Sequence, residues 1–395
     1  MNDVNAEWLI GTEDVKVEPI EPYSDIVIRF LDELSSVLRE GTSKERFSDL
    51  ISLAFWCRKG NILKLKENAG NFNNCLGRGL LFHITPSNVP VNFAFSYFFG
   101  LLAGNANIVR IPSKDYPQIS IICESVRTLF EKEEYRHIKE GTAFVRYGHD
   151  KEVTDILSAR ADGRIIWGGD RTIEEIRRSP IKPKCVEIVF ADRYSIGILS
   201  SEALLNASDT ECRDLARGFY NDTYLMDQNA CSTPHLLLWV GKKTNEAKKR
   251  FWDNVFAESR RYILEPIKAV DKYTDLCMAG MSGEMKVKQV KRWDNRLYTI
   301  DLEELPENIC TLRGRFGMFY QYDLEDIGVL SPYITERVQS LLYYGVDKQE
   351  LLKFVQNNHL TGIDRIVSFG NSLNMNPYWD GYDIIRQLSR RILFE

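Results

Sequence analysis

Between residues 79 and 199 the chain alternates short apolar runs with segments of helical spacing, and no other feature limits its fold as tightly. The runs are 79–85 (GLLFHIT), 106–111 (ANIVRI), 143–147 (AFVRY), 164–167 (RIIW), 185–190 (CVEIVF) and 195–199 (SIGIL). Helical segments lie between them, from about Pro90 and over 119–130, 151–158 and 172–178. Unbroken apolar runs suit strands buried on both faces, and helices between them carry the chain back to lay each strand parallel to the last. Such a sheet binds ligands beyond the carboxyl ends of its strands, where Thr85, Pro112, Gly148 and Gly168 fall.

A chain of 395 residues exceeds one ordinary core, so more than one domain is expected. Residues 1–60 read as a helical lead-in, with one helix over 23–38 and a second opening at 42–46 (TSKER) on a capping serine. Residues 61–200 read as one α/β domain built on that parallel sheet, the domain that the resemblance given below implies to be dinucleotide-binding. The pattern resets after 200, with helix 208–220, a cysteine segment, strand 236–240 and helix 245–262, so 201–365 form a second α/β domain. Residues 366–395 close with an apolar, basic helix that packs back on the body or on a neighbouring subunit.

The net charge of -5 gives no global attraction for nucleic acid. Eight cysteines at irregular intervals, without a C-x-x-C pair, exclude a disulfide framework and a structural zinc site, so no metal is expected. The acidic start lacks a basic region followed by an apolar run, so a cytoplasmic location is expected. The most apolar stretch, 91–103 (VNFAFSYFFGLLA), falls short of the ~20 residues that span a bilayer and reads as a buried helix. Its aromatics Phe93, Phe95, Tyr97, Phe98 and Phe99 belong to a core before they belong to an acyl tunnel.

Four stretches can carry chemistry. In 227–235 (DQNACSTPH), Cys231 sits among small and polar residues just before an apolar strand, as a nucleophile needs and a core cysteine does not. His235 would pair with it only on a helix, which Pro234 opposes. In 84–90 (ITPSNVP), prolines fix a strand-to-helix turn around Asn88, whose amide serves either as an oxyanion donor or as a helix cap. In 167–172 (WGGDRT), Gly168, Gly169 and Thr172 open a helix where a phosphate can meet backbone N–H groups, and where plain turn chemistry would look the same. Arg110, Ser113 and Lys114 end another strand, either as a site for an adenosine ribose or as solvated surface.

Taken in order, these stretches resemble the aldehyde dehydrogenase superfamily. The 84–90 turn resembles its TPWNFP, 104–113 (GNANIVRIPS) resembles its GNTVVLKPS, Tyr147-Gly148 and Trp167-Gly168-Gly169 resemble its cofactor-cleft glycines, and Cys231 falls where it keeps a nucleophile. Within it, DQNACSTP, Phe55-Trp-Cys-Arg58, 362–373 (GIDRIVSFGNSL) and 379–385 (WDGYDII) resemble the acyl-CoA reductase family typified by the long-chain fatty acid reductase of bacterial bioluminescence. The resemblance implies an α/β, aldehyde dehydrogenase-like fold: a Rossmann-like cofactor domain, a catalytic domain and N-terminal helices. It implies Cys231 and Asn88 as catalytic residues, and Thr85, Pro86, Ser87, Arg110, Ser113, Lys114, Gly148, Gly168, Gly169 and Thr172 as cofactor-binding residues. The implied cofactor is NADPH, with NADH also accommodated. The implied partners are an acyl-CoA or acyl-protein thioester, an acyl-transferring protein and a second copy in a homodimer.

The sequence departs from the superfamily at two points. Glu187, in 186–195 (VEIVFADRYS), is offset from the glutamate that activates water in hydrolytic members, and 313–317 (RGRFG) only loosely echoes the E-x-F-G-P that holds the nicotinamide ribose. Two other classes fit parts of the pattern: a cofactor-independent cysteine acyltransferase or thioesterase using Cys231 with His235, and a noncatalytic partner subunit that keeps the fold.

Overall fold

The computed structural model describes residues 6–41, 47–86, 89–282 and 285–395. Ser87, Asn88 and the expected helix start at 42–46 lie outside the described residues. The chain divides into two compact units, Met1–Ala191 with Met375–Glu395, and Asp192–Asn374.

In the first unit the branched and aromatic runs form β1 (Glu7–Ile10), β2 (Cys75–Gly77), β3 (Leu80–Ile84), β4 (Ala106–Arg110), β5 (Thr142–Arg146), β6 (Gly163–Trp167) and β7 (Val186–Phe190). Six of them make a sheet in the order β1-β5-β4-β3-β6-β7. Its strands run parallel except β1, which joins the edge antiparallel to β5. From β3 the chain winds outward to β4 and β5, then returns to lay β6 on the other side of β3. That reversal between β3 and β6 is the switch point at which open parallel sheets leave a crevice past their carboxyl ends.

The apolar stretch forms the helix Asn92–Leu102, nine of whose residues are buried. Trp56 packs edge-on to Phe95 and Phe99, with ring centroids 5.5 and 5.7 Å apart, and Phe93 and Tyr97 meet Phe144 at 5.6 and 5.0 Å. Apart from the half-buried Phe95 these rings are core, and their burial drives the helix onto the sheet at roughly 1.5–3 kcal/mol for each large side chain. The described helix Ser48–Trp56 follows Phe47, with no side-chain cap.

The second unit holds β8 (Tyr194–Ser200), β9 (Pro234–Val240), β10 (Val287–Asp294), β11 (Leu297–Leu302), β12 (Met318–Leu324), β13 (Val338–Tyr344) and β14 (Arg365–Ser368). Their order is β10-β11-β12-β9-β8-β13-β14, parallel except for β10 against β11. Alternate residues of β9 enter opposite cores: Leu236 and Leu238 pack with Ile196, Ile300 and Tyr320, whereas Leu237 and Trp239 pack with Phe219, Phe251 and Phe319. Helix Asp209–Thr223 covers the second face and begins with a capping box between Ser208 and Glu211.

Two expectations change. The run at 195–199 does not close the first sheet, because β8 pairs with β9 and β13 and the contact boundary falls at Ala191/Asp192. An apolar run dictates a strand but not its neighbour, so periodicity cannot assign it to a sheet. The closing helix at the C-terminus shrinks to Ile384–Gln387, since Ser389–Arg391 instead pairs antiparallel with β2. That pairing ties the last residues to the first unit.

Candidate active site

The cysteine segment follows the 3-10 turn Tyr224–Met226, after which Asp227 and Gln228 both adopt left-handed backbone, at φ 52° and 62°. Such a conformation is strained for residues with a Cβ and persists only where surroundings hold it. Here several side chains do. The Asp227 carboxylate accepts from the Tyr262 hydroxyl and from Lys268 Nζ, the latter at 2.9 Å. Gln228 Oε1 accepts from the N–H of Gly317 at 2.6 Å, and its Nε2 donates to the Met318 carbonyl at 3.0 Å. Ser195 Oγ donates to the Cys231 carbonyl at 2.8 Å, and Thr233 Oγ1 donates to the Asp222 carbonyl at 2.8 Å. Cys231 is half-buried, while its neighbours Ser232 and Thr233 are buried. The result is a partly buried cysteine on a backbone fixed from several directions.

Asp222 links this segment to the family-like stretch near the chain's end. Its carboxylate accepts the N–H of Gly370 and, at 2.9 Å, that of Ser372. Burial lifts its carboxyl to about 6 despite these bonds. The approach is close because Gly218 faces Gly370, where an added Cβ would meet backbone at 3.1 Å.

His235 lies on β9, stacked against Tyr194 with centroids 5.5 Å apart. Its Nδ1 faces the Gly314 carbonyl at 3.0 Å, an acceptor, so Nδ1 carries the proton. Burial and the nearby Arg313 charge push its pKa down to about 3. So weak a base accepts a thiol proton poorly, which counts against the acyltransferase pairing with Cys231.

In the first unit several residues expected to bind cofactor lie at the carboxyl ends of the strands. Thr85 follows β3, Arg110 ends β4, Gly148 follows β5, and Gly168 and Gly169 follow β6. Gly169 caps helix Asp170–Arg177 without a side-chain bond, and Cβ atoms built on Gly148 or Gly169 would meet nothing within 4 Å. Open backbone at a helix N-terminus beside the switch point suits a dinucleotide phosphate. Asp170 in the first turn is the one charge that opposes it there. Thr85 Oγ1 donates to the Arg110 carbonyl at 2.7 Å, and Arg110 donates to the Gly148 carbonyl at 2.8 Å while lying over the Tyr147 ring. Arg110 thus braces strand ends. Ser113, Lys114 and Thr172 are exposed, with Lys114 Nζ 5.0 Å from the Tyr116 ring centre.

Glu187 is engaged by two arginines. Its carboxylate accepts from buried Arg164, at 2.9 Å from Nε, and from Arg177 at 2.7 Å. Burial alone would raise its carboxyl, but the bonds from Arg177 and Arg164 outweigh it and hold the group below the usual range. A carboxylate so paired is a poor activator of water. Among the described residues no cluster of His, Cys, Asp and Glu could hold a metal ion, and no helix is long and apolar enough to cross a membrane.

Over residues 13–391 the sequence matches the acyl-CoA reductase (LuxC) family. The chain belongs to that family. No curated protein matches it in sequence. Among solved structures it resembles aldehyde dehydrogenase 21 of Physcomitrella patens, described in complex with the reaction product succinate (TM-score 0.63, 11% identity, 92% of this chain and 84% of that one). It also resembles a Thermus 1-pyrroline-5-carboxylate dehydrogenase with bound NAD (TM-score 0.60, 14% identity, 94% and 82%). A third likeness is to Bradyrhizobium japonicum proline utilization A (TM-score 0.62, 14% identity, 92% of this chain), of whose length the chain spans only 42%. At these identities the likeness establishes the aldehyde dehydrogenase fold.

Several residues that fix these segments carry no sequence signal. Gln228, Asp222 and Arg164 act through backbone atoms or partners remote in sequence. His83 is another: fully buried, it contacts Ser96 at 2.8 Å and the Asn107 carbonyl oxygen at 2.9 Å. Asn107 Oδ1 only accepts, so the proton sits on Nε2 and Nδ1 accepts from Ser96, which in turn accepts from Trp167 Nε1 at 3.0 Å. Burial keeps this imidazole neutral, at about 4. The relay fixes the indole that ends β6, next to Gly168.

Proposed function

We propose that the chain reduces an acyl thioester to the aldehyde with NADPH, through an acyl group held on Cys231. The observation that carries this reading is a partly buried cysteine on a multiply anchored backbone, in a chain of the acyl-CoA reductase family. The Cys231 thiolate attacks the thioester carbonyl carbon, a C–S bond forms, and the electron pair moves to oxygen. Asn88, assigned by its likeness to the TPWNFP asparagine, and the Cys231 N–H stabilise that oxyanion. Collapse breaks the bond to the departing thiol, which takes up a proton. A reduced nicotinamide held by the residues named below would supply the hydride that the acyl carbon on Cys231 takes up. The resulting thiohemiacetal then breaks its C–S bond, freeing the aldehyde and returning the Cys231 thiolate.

Gly168, Gly169 and Thr172 would hold the cofactor's phosphates, with Thr85, Pro86, Ser87, Gly148, Arg110, Ser113 and Lys114 around its nucleoside. Lys114 supports the preference for a 2'-phosphate. The arginine-bound Glu187 supports reduction over hydrolysis, since an activated water would discard the acyl group as acid. The acyl group would come from coenzyme A or from an acyl-transferring protein, and the working unit would be a homodimer.

The test is absorbance at 340 nm with NADPH or NADH and acyl-CoAs of graded chain length. Acyl-dependent NADPH oxidation with one molecule of aldehyde per NADPH is expected. No acyl-dependent change with any chain length would overturn the reading, and faster rates with NADH would overturn the cofactor preference.

A further inference from the structure

Gln228 stands three residues before Cys231 and is 2% exposed. Its side chain engages three backbone atoms of one turn: Oε1 accepts from Gly317 N at 2.6 Å and Met318 N at 3.2 Å, and Nε2 donates to the Met318 carbonyl at 3.0 Å. His235, on the other side of Cys231, donates to the Gly314 carbonyl of the same turn. The turn 314–318 is therefore tied to the chain both before and after the thiol.

Neither partner in this tie would keep its shape alone. Gln228 has φ 62°, and Phe316 and Gly317 are consecutive left-handed residues at φ 56° and 86°. Lys272 Nζ, fully buried, donates to the Phe316 carbonyl at 2.7 Å. Strained backbone on two facing segments, bridged by one amide whose donor and acceptor are both used, is an arrangement that fixes position more than it adds stability. An apolar side chain of the same length would take the Gln228 acceptor from the Gly317 N–H, leave the Met318 N–H only its bond to the Arg315 carbonyl at 3.2 Å, and remove a donor from the Met318 carbonyl.

We propose that Gln228 is a positioning residue for Cys231: by locking the turn 314–318 to the cysteine segment, it sets the backbone that presents the thiol. The proposal rests on Cys231 being the nucleophile of the function proposed above. Its test needs neither acyl-CoA nor cofactor, so the two can fail separately. Iodoacetamide modification of Cys231, followed by mass spectrometry of its peptide across a pH series, gives a rate constant and a pH midpoint for the folded protein. Q228M should lower that rate constant by about ten-fold or more, or move the midpoint, because small displacements of a reacting group carry large rate penalties. Q228E keeps both acceptor bonds but sets its second oxygen against the Met318 carbonyl, so its rate constant should fall between those of Q228M and the unsubstituted protein. In acyl-CoA turnover Q228M should lose kcat with KM unchanged. If Q228M does not fold, Q228N, which keeps the amide one carbon shorter, is read in the same way. A folded variant whose Cys231 rate constant and midpoint match the unsubstituted protein, with only the amount of folded protein reduced, would overturn the proposal.

Discussion

Replacing Glu187 with Gln separates a structural carboxylate from a catalytic one. Arg164 is 1% exposed, and two of its nitrogens lie on one Glu187 oxygen, while Nη1 donates to Ser158 Oγ at 3.2 Å and to the Ile176 carbonyl at 3.1 Å. Removing one partner of a buried ion pair costs about 3–5 kcal/mol. Gln still offers an amide oxygen, and Arg164 keeps its two other acceptors, so E187Q should fall at or just below the lower end, about 2–3 kcal/mol. For a unit of this size that corresponds to a Tm lower by roughly 5–10 °C. The folded-state carboxyl is held below its ordinary pKa, so its contribution is present above the carboxylate range and lost as pH falls through the folded value. The gap between E187Q and the unsubstituted protein should therefore close in acid. Calorimetry at neutral and acid pH, beside acyl-CoA reduction per folded molecule, measures both. An E187Q protein that melts with the unsubstituted one yet loses turnover would refute the structural assignment.

Three further outcomes follow from the same geometry. Burial lowers the Lys272 pKa to about 7, whereas the unfolded chain keeps its proton to 10.5, so stability should rise above neutrality by up to about 2–3 kcal/mol by pH 9, and K272M should abolish that rise in denaturant titrations. Gly169→Ala, whose added Cβ meets nothing within 4 Å, should leave stability within about 0.5 kcal/mol while raising the KM for NADPH; an unchanged KM would remove Gly169 from the cofactor site. Asn88→Ala should slow turnover by ~10²- to 10³-fold yet still acylate Cys231, and unchanged turnover would leave the oxyanion donor unassigned.

Five strands of the first sheet, β3 to β7, were readable as mainly apolar runs whose ends fall at Thr85, Arg110, Gly148 and Gly168, whereas β1 lies in the residues read as a helical lead-in. β8 looked the same in sequence, but its partners β9 and β13 are set by packing that no local pattern records. β10 was invisible for another reason: VKQVKRWD is exposed and charged along most of its length, so no apolar alternation marks it. At the site, Cys231 stood out by its polar neighbours. The groups that hold it did not, because Gln228 reaches Gly317 across 89 positions and Asp222 reaches Ser372 across 150. Spacing rules see helix turns and hairpins, and bonds of that span belong to the finished fold.

The central claim concerns which sulfur takes the acyl group. Incubation with acyl-CoA in the absence of cofactor, followed by mass spectrometry of the cysteine peptides, tests it directly. The account predicts one acyl group on Cys231, removed as aldehyde when NADPH is added, and none on C231S. Acylation of another of the eight cysteines, or full reductase turnover by C231S, would contradict it.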